Sequence, residues 1–303
     1  MSSTPTESPP RIWRAGTCWR LARQVGNAWL ADYVPSMGAA LAYYTMFSLA
    51  PLLLIVIAVA GLVFGEDAAR GEIQAQLSAL MGHNSAAAVQ DLLTSVHKPA
   101  EGSMATALGV ALLLLGATSV FGELQDALDR IWRVPARAHA SGWLGLVRSR
   151  LLSFGMILAI GFLLMVSLVV SATLAAMGRW WTPIFGDWIL LATLFNALAS
   201  FALVGVMFAL IYKVMPRVRV QWGDVWIGAL VTAVLFTAGK TLIGLYVGRS
   251  GVASAFGAAG SLVAVLLWVY WSAQIFLLGA EFTWVWANTY GSRRPPVAPA
   301  APG

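Results

Sequence analysis

The chain has 303 residues, 59% hydrophobic and only 11% charged, with a formal net charge of +6. A soluble domain carries about 25% charged residues, so this composition excludes a protein surrounded by water and predicts an all-α, polytopic integral membrane protein. The single cysteine, Cys18, excludes an internal disulfide and a cysteine-based metal cluster, and His83, His97 and His139 are too scattered to suggest a metal site.

Residues 1–10, MSSTPTESPP, read as a disordered tail. No cleavable signal peptide is expected, because the first 38 residues carry four arginines and no long apolar core. Residues 11–31 bring Trp13, Trp19 and Trp29 together with those arginines, which fits an interfacial helix on the inner leaflet. Crossing a ~30 Å hydrocarbon core takes about 20 apolar residues. Six runs qualify, near 38–64, 104–123, 152–177, 188–213, 222–247 and 259–287. Residues 11–291 therefore read as one six-span domain, and 292–303 as a second disordered tail.

In span one, Ala40, Tyr44 and Ser48 share a face, and Pro51 removes a backbone donor one turn on. Tyr43, Tyr44, Thr45 and Ser48 are expected to turn inward, away from lipid. The loop that follows, 65–103, has Ile73, Leu77, Leu80 and Met81 at helical spacing, and so do Val89, Leu92, Leu93 and Val96. Two short helices here form either a packed cap or a lid over a cavity. Residues 142–151 look like an amphipathic elbow before span three, and Trp180, Trp181 and Trp188 suit an aromatic belt. In span four, Asn196 and Ser200 are placed to hydrogen-bond between helices.

Span five contains LFTAGKTLIGLY, whose Gly239-Lys240-Thr241 imitates the end of a phosphate-binding loop. That motif needs a glycine five residues before its last one. Val234 stands there, in a stretch of membrane helix, so Lys240 is read as an intramembrane charge. Thr237, Lys240, Thr241, Gly244 and Gly248 form one stripe of polar and small residues. The stripe is either a helix-packing seam whose lysine snorkels outward, or a cationic site for a phosphate or carboxylate in a cavity. Span six carries Gln274 and Glu281 on one face. Glu281 is near the inner end, at a different depth from Lys240, so a direct pair is not expected. The linking segment 248–261 is glycine-rich and reads as mobile, tightly turned or re-entrant.

Arginine and lysine set the orientation. Fourteen lie in the N-terminal segment, the second and fourth loops and the C-terminus; four lie in the alternate loops. The positive-inside rule then places both termini in the cytoplasm.

AALAYYTMFSLAPLLL in span one, LQDALDRIWRV after span two, and GKTLIGLY with FGAAGSLVAVLLWVYWSAQIFLLGAEF near the end resemble the YihY/BrkB family of bacterial inner-membrane proteins. The resemblance covers nearly the whole chain between the tails. It implies a six-span helical bundle in the cytoplasmic membrane, for which transport of small solutes, ions or envelope lipids has been proposed. Names attached to the family include virulence factor and a mistaken ribonuclease label. No agreed catalytic residues can be carried over. The residues also speak against a nuclease, which needs clustered His, Asp or Glu to hold its metal ions. No enzymatic activity, cofactor, metal or nucleic-acid partner is expected. The expected partners are membrane lipids, including anionic ones. Two functions remain: a transporter of a small solute, ion or envelope lipid, or a non-transporting scaffold for envelope assembly. The candidate contacts are Lys240, Thr237, Thr241, Tyr43, Tyr44, Asn196, Gln274 and Glu281.

Overall fold

The computed structural model describes residues 15–81, most of 86–93, 119–135, parts of 151–162, 188–249 and 260–294. Among these residues the chain is all-helical. The helices are α1 (Ala15–Ala31), α2 (Val34–Phe64), α3 (Glu66–Met81), α4 (residues 119–131), α5 (Trp188–Val214), α6 (Trp222–Arg249) and α7 (Gly260–Thr289). Four stretches are long and apolar enough to cross a membrane: Val34–Leu62, Ala197–Val214, Trp222–Tyr246 and Leu262–Thr289. The expected spans near 104–123 and 152–177 lie largely outside the described residues. So do the three histidines, the 142–150 part of the elbow, Trp180, Trp181, most of the glycine-rich link and both distal tails.

The long helices lack a single apolar stripe and are apolar all round, as a lipid-facing bundle requires. Their exposed side chains include Phe47, Leu62, Leu198, Leu230, Val234 and Leu242. In lipid such exposure carries no hydrophobic penalty. Pro51 lies inside α2 without ending it.

The central helix is α7, which packs against α1, α2 and α6, while α5 packs on α6 and reaches α7 through Phe208 and Tyr212 at Phe276. Small residues set the α6–α7 approach. A Cβ on Gly228 would meet Thr283, one on Gly279 would meet Thr232 and Tyr212, and one on Gly239 would meet Ile275. The Tyr212 hydroxyl donates to the Phe276 carbonyl at 2.7 Å and lies 3.0 Å from Thr232 Oγ1, so this buried phenol is satisfied by both neighbours. The stripe on α6 is not this approach: among the described residues a Cβ on Gly244 would meet nothing within 4 Å.

At one end of the bundle Gly65 turns the chain with φ 87°, and α3 folds back on α2. Ile73 and Leu77 pack with Val89 and Leu93 on Ala50, Ile57 and Val265. The helical spacing in this loop is thus a packing surface. At the opposite, arginine-rich end, α1 buries Val25 and Ala28, with Leu21 beside them, against Val285 of α7. Residues 292–294, expected in the disordered tail, are held in the fold. Ser292 donates to Asp224 Oδ2 through its N–H (3.2 Å) and hydroxyl (2.6 Å), and Arg293 donates to the Arg219 carbonyl (2.9 Å).

Candidate functional site

Two left-handed residues build the arginine-rich end. The first is Tyr33 (φ 56°), which joins α1 to α2 and follows Asp32. The second is Arg133 (φ 51°), just past the end of α4. There the Arg133 N–H donates to the Arg130 carbonyl (3.0 Å) and the Val134 N–H to the Asp129 carbonyl (2.9 Å). This paired bonding is the Schellman pattern, and its left-handed position usually holds glycine. Arginine there costs about 1 kcal/mol of backbone strain. Its guanidinium lies 4.1 Å from the Trp284 ring centroid on α7.

Asp129 fixes α4 in place. It accepts the Arg217 N–H (2.8 Å) and the Arg217 guanidinium (2.8 Å). Gln125 donates to the Met215 carbonyl at 2.9 Å, so both residues clamp the connection between α5 and α6. Arg293 covers the Trp132 ring at 5.0 Å, which ties in the chain's last described turn.

Glu281 sits beneath this frame. It is fully buried, and among the described residues neither carboxylate oxygen meets a donor; Asp32 Oδ2 is likewise buried without one. The Asp32 carboxyl lies within hydrogen-bonding reach of Glu281, and Arg133 is the cation acting on it. Two carboxyls and a guanidinium therefore converge from three parts of the chain.

A cavity of about 440 Å³ adjoins them, between α1 and the end of α7. From α1 it is lined by Gln24, Asn27, Ala28 and Ala31, one helical face. Trp284, Val285, Asn288 and Thr289 line it from α7, and Arg133 completes the wall. The lining combines amide donors, a cation and an aromatic face, a chemistry suited to an anionic, partly apolar group.

The residues singled out from sequence do not all converge here. Glu281 belongs to the cluster. Gln274, two turns away on α7, is buried where α2 crosses, with its amide nitrogen 3.5 Å from the Val34 and Pro35 carbonyls. Gly38 makes room for that amide, since a Cβ would collide with it. Lys240 is half-buried, whereas Thr237 and Thr241 are exposed. With Gly228 opposite Thr283 and Thr232 opposite Gly279, Glu281 is level with residues near 230, about 15 Å along the axis from Lys240 at ~1.5 Å per residue. Tyr43 and Tyr44 do not turn inward: they are 59% and 40% exposed. Their α2 neighbour Ser48 does, bonding Ser119 Oγ at 2.7 Å. Apolar neighbours on both faces of α2 left its rotation undetermined from sequence. Asn196 lies in α5, and its side chain is outside the described residues. Among the described residues no group of three or more His, Cys, Asp or Glu is placed to hold a metal ion.

Sequence reasoning missed Asp32; it weighed Arg133 as an orienting charge and, beside Trp132, as a weak nucleic-acid contact, and did not place it at a site with Glu281. A signal was present at Asp32, an acidic residue between a basic segment and an apolar span.

Relatives support the assignment to a membrane family. A UPF0761 membrane protein of Pseudomonas paraeruginosa is 29% identical over 261 residues, covering 86% of this chain and 61% of its own length. One from Azotobacter vinelandii is 30% identical, covering 90% of this chain and 64% of its own length. One from Tolumonas auensis is 26% identical, with 87% and 86% covered. The chain thus spans about three-fifths of the Pseudomonas relatives' length. No solved structure matches it. The family model described as virulence factor BrkB matches residues 26–303, and the chain is a membrane protein belonging to that family.

Proposed function

We propose that this is a six-span, non-enzymatic protein of the bacterial inner membrane, with both termini cytoplasmic, that binds an anionic envelope lipid at the inner leaflet and moves it across the bilayer. The observation that carries this reading is the cavity between α1 and α7, with Arg133 in its wall on the Trp284 ring. Its position supports a lipid over a free solute. The cavity lies beside an amphipathic helix, at the terminal turns of a spanning helix, where headgroups and water meet. Tryptophan and arginine are suited to that interface. The excess of positive residues at this end supports its cytoplasmic placement.

The test is transbilayer movement in proteoliposomes. Fluorescently labelled phosphatidylglycerol is placed in both leaflets, and dithionite is added outside. With wild-type protein the protected inner fraction is expected to bleach; with Arg133→Gln it is expected to stay protected as in protein-free vesicles. Equal protection with wild-type protein and with none would remove transport and favour the scaffold.

A further inference from the structure

We propose that Asp32 and Glu281 form a proton-binding site that holds one shared proton, and that Arg133 links this proton to anion binding in the adjoining cavity.

Charge balance is the starting point. Glu281 is the single charged residue of α7. Among the described residues packed on α7, α2 carries no charged residue, α1 carries Arg20 and Arg23, both exposed, and α6 carries Asp224, Lys240 and, at its far end, Arg249; Arg130 is on the Tyr33 ring at 5.6 Å. Asp224 is engaged by Ser292, and Lys240 is more than two helical turns away along the axis. The turn after α1 brings Asp32, and the end of α4 brings Arg133. The nearby Tyr212 hydroxyl is satisfied by the Phe276 carbonyl. Two ionised carboxylates with one guanidinium would leave a net charge of −1 around a fully buried side chain. Burying such a charge without a partner is very costly.

Hydrogen bonding leads to the same result. Glu281 Oε1, Glu281 Oε2 and Asp32 Oδ2 are buried acceptors that meet no donor among the described residues. Two carboxylates side by side have nothing to donate. One proton between them turns one carboxyl oxygen into a donor to the other carboxyl and brings the three groups to neutrality, as in acidic dyads that share a proton.

Arg133 faces both ways. It acts on Glu281 and it lines the cavity. An anion in the cavity draws on its positive charge and leaves the carboxyl pair more dependent on the proton. By reciprocity the proton favours the anion. The direction is fixed: loss of the proton adds negative charge beside the cavity, so anion affinity falls as pH rises. The limit is tenfold per pH unit for one linked proton.

The linkage rests on the anionic-lipid reading of the cavity; the shared proton does not. Two measurements on the purified full-length protein in detergent separate them. Infrared difference spectra record the C=O band of a protonated carboxyl near neutral pH, and short-chain phosphatidylglycerol is titrated from pH 6 to 9 (about three decades of proton activity). The band is expected in wild type and absent from Glu281→Gln. Affinity is expected to fall with pH in wild type and to stay flat in the isosteric Glu281→Gln. Should that variant fail to fold, Asp32→Asn takes its place in the titration, again with a flat profile expected. Absence of the band from wild type overturns the shared proton. A band with pH-independent binding, or an unchanged slope in the folded variants, overturns the linkage. A band with no lipid binding at all overturns the lipid reading and leaves the proton site supported.

Discussion

Arg133 stacks on Trp284 with its guanidinium carbon 4.1 Å from the ring centroid, although its own backbone is left-handed. The two effects have similar size. A non-glycine residue in that conformation costs about 1 kcal/mol, and an exposed cation–π contact returns about 0.5–1 kcal/mol. Arg133→Gly removes both, and it also takes the cation away from the buried Glu281 and Asp32 carboxyls, so a net destabilisation of about 1–3 kcal/mol is expected together with loss of anion retention. A melting curve and a lipid-binding titration on the same preparation check this. Unchanged stability would mean that Arg133 does not balance the buried carboxyls, and unchanged anion retention would mean that its role is chiefly structural.

The α6–α7 contact depends on glycines that admit hydroxyls. A Cβ on Gly279 would come within 2.6 Å of the Tyr212 hydroxyl, besides colliding with Thr232. Gly279→Ala and Gly228→Ala are each expected to destabilise the protein by about 1–3 kcal/mol, as overpacking does. Gly244→Ala, which meets nothing within 4 Å among the described residues, is expected to be neutral or slightly stabilising. Unfolding in mixed micelles with increasing dodecyl sulfate ranks the three.

Two ion pairs provide a second contrast. The Asp129 side chain is 3% exposed and holds Arg217 at 2.8 Å. Asp129→Ala leaves the Arg217 backbone N–H and guanidinium without this acceptor and is expected to cost about 3 kcal/mol. Glu66 pairs with Arg70 at 2.7 Å but is 56% exposed. Glu66→Ala is expected to change stability by less than about 0.5 kcal/mol. Equal effects in the same unfolding assay would remove the clamp from the account of how α4 is positioned.

Much of the bundle was legible because crossing lipid requires long apolar runs, and those at α2, α5, α6 and α7 are uninterrupted. Gln274 and Glu281 were legible as polar residues inside a span. Their surroundings were not. Asp32 and Glu281 are far apart in sequence, and only the crossing of α1 and α7 brings them together. Arg133 looked like one of many arginines at a membrane face, since a left-handed backbone at a non-glycine residue leaves no mark in composition. Glycine spacing alone did not locate the α6–α7 approach. Gly244 and Gly248 have the familiar interval, yet the close approaches are at Gly228, Gly239 and Gly279, where facing side chains decide the contact.

Lys240 and Arg133 are rival anion sites, one in the stripe on α6 and the other in the cavity wall. The most direct test is native mass spectrometry of wild type, Arg133→Gln and Lys240→Gln released from mild detergent, each after incubation with equimolar phosphatidylglycerol and phosphatidylethanolamine. Wild type and Lys240→Gln are expected to retain phosphatidylglycerol in at least about tenfold preference, the ~1.4 kcal/mol worth of one charge-assisted contact, and Arg133→Gln to lose it. Retention by Arg133→Gln with loss from Lys240→Gln would contradict the account and move the anion site to α6.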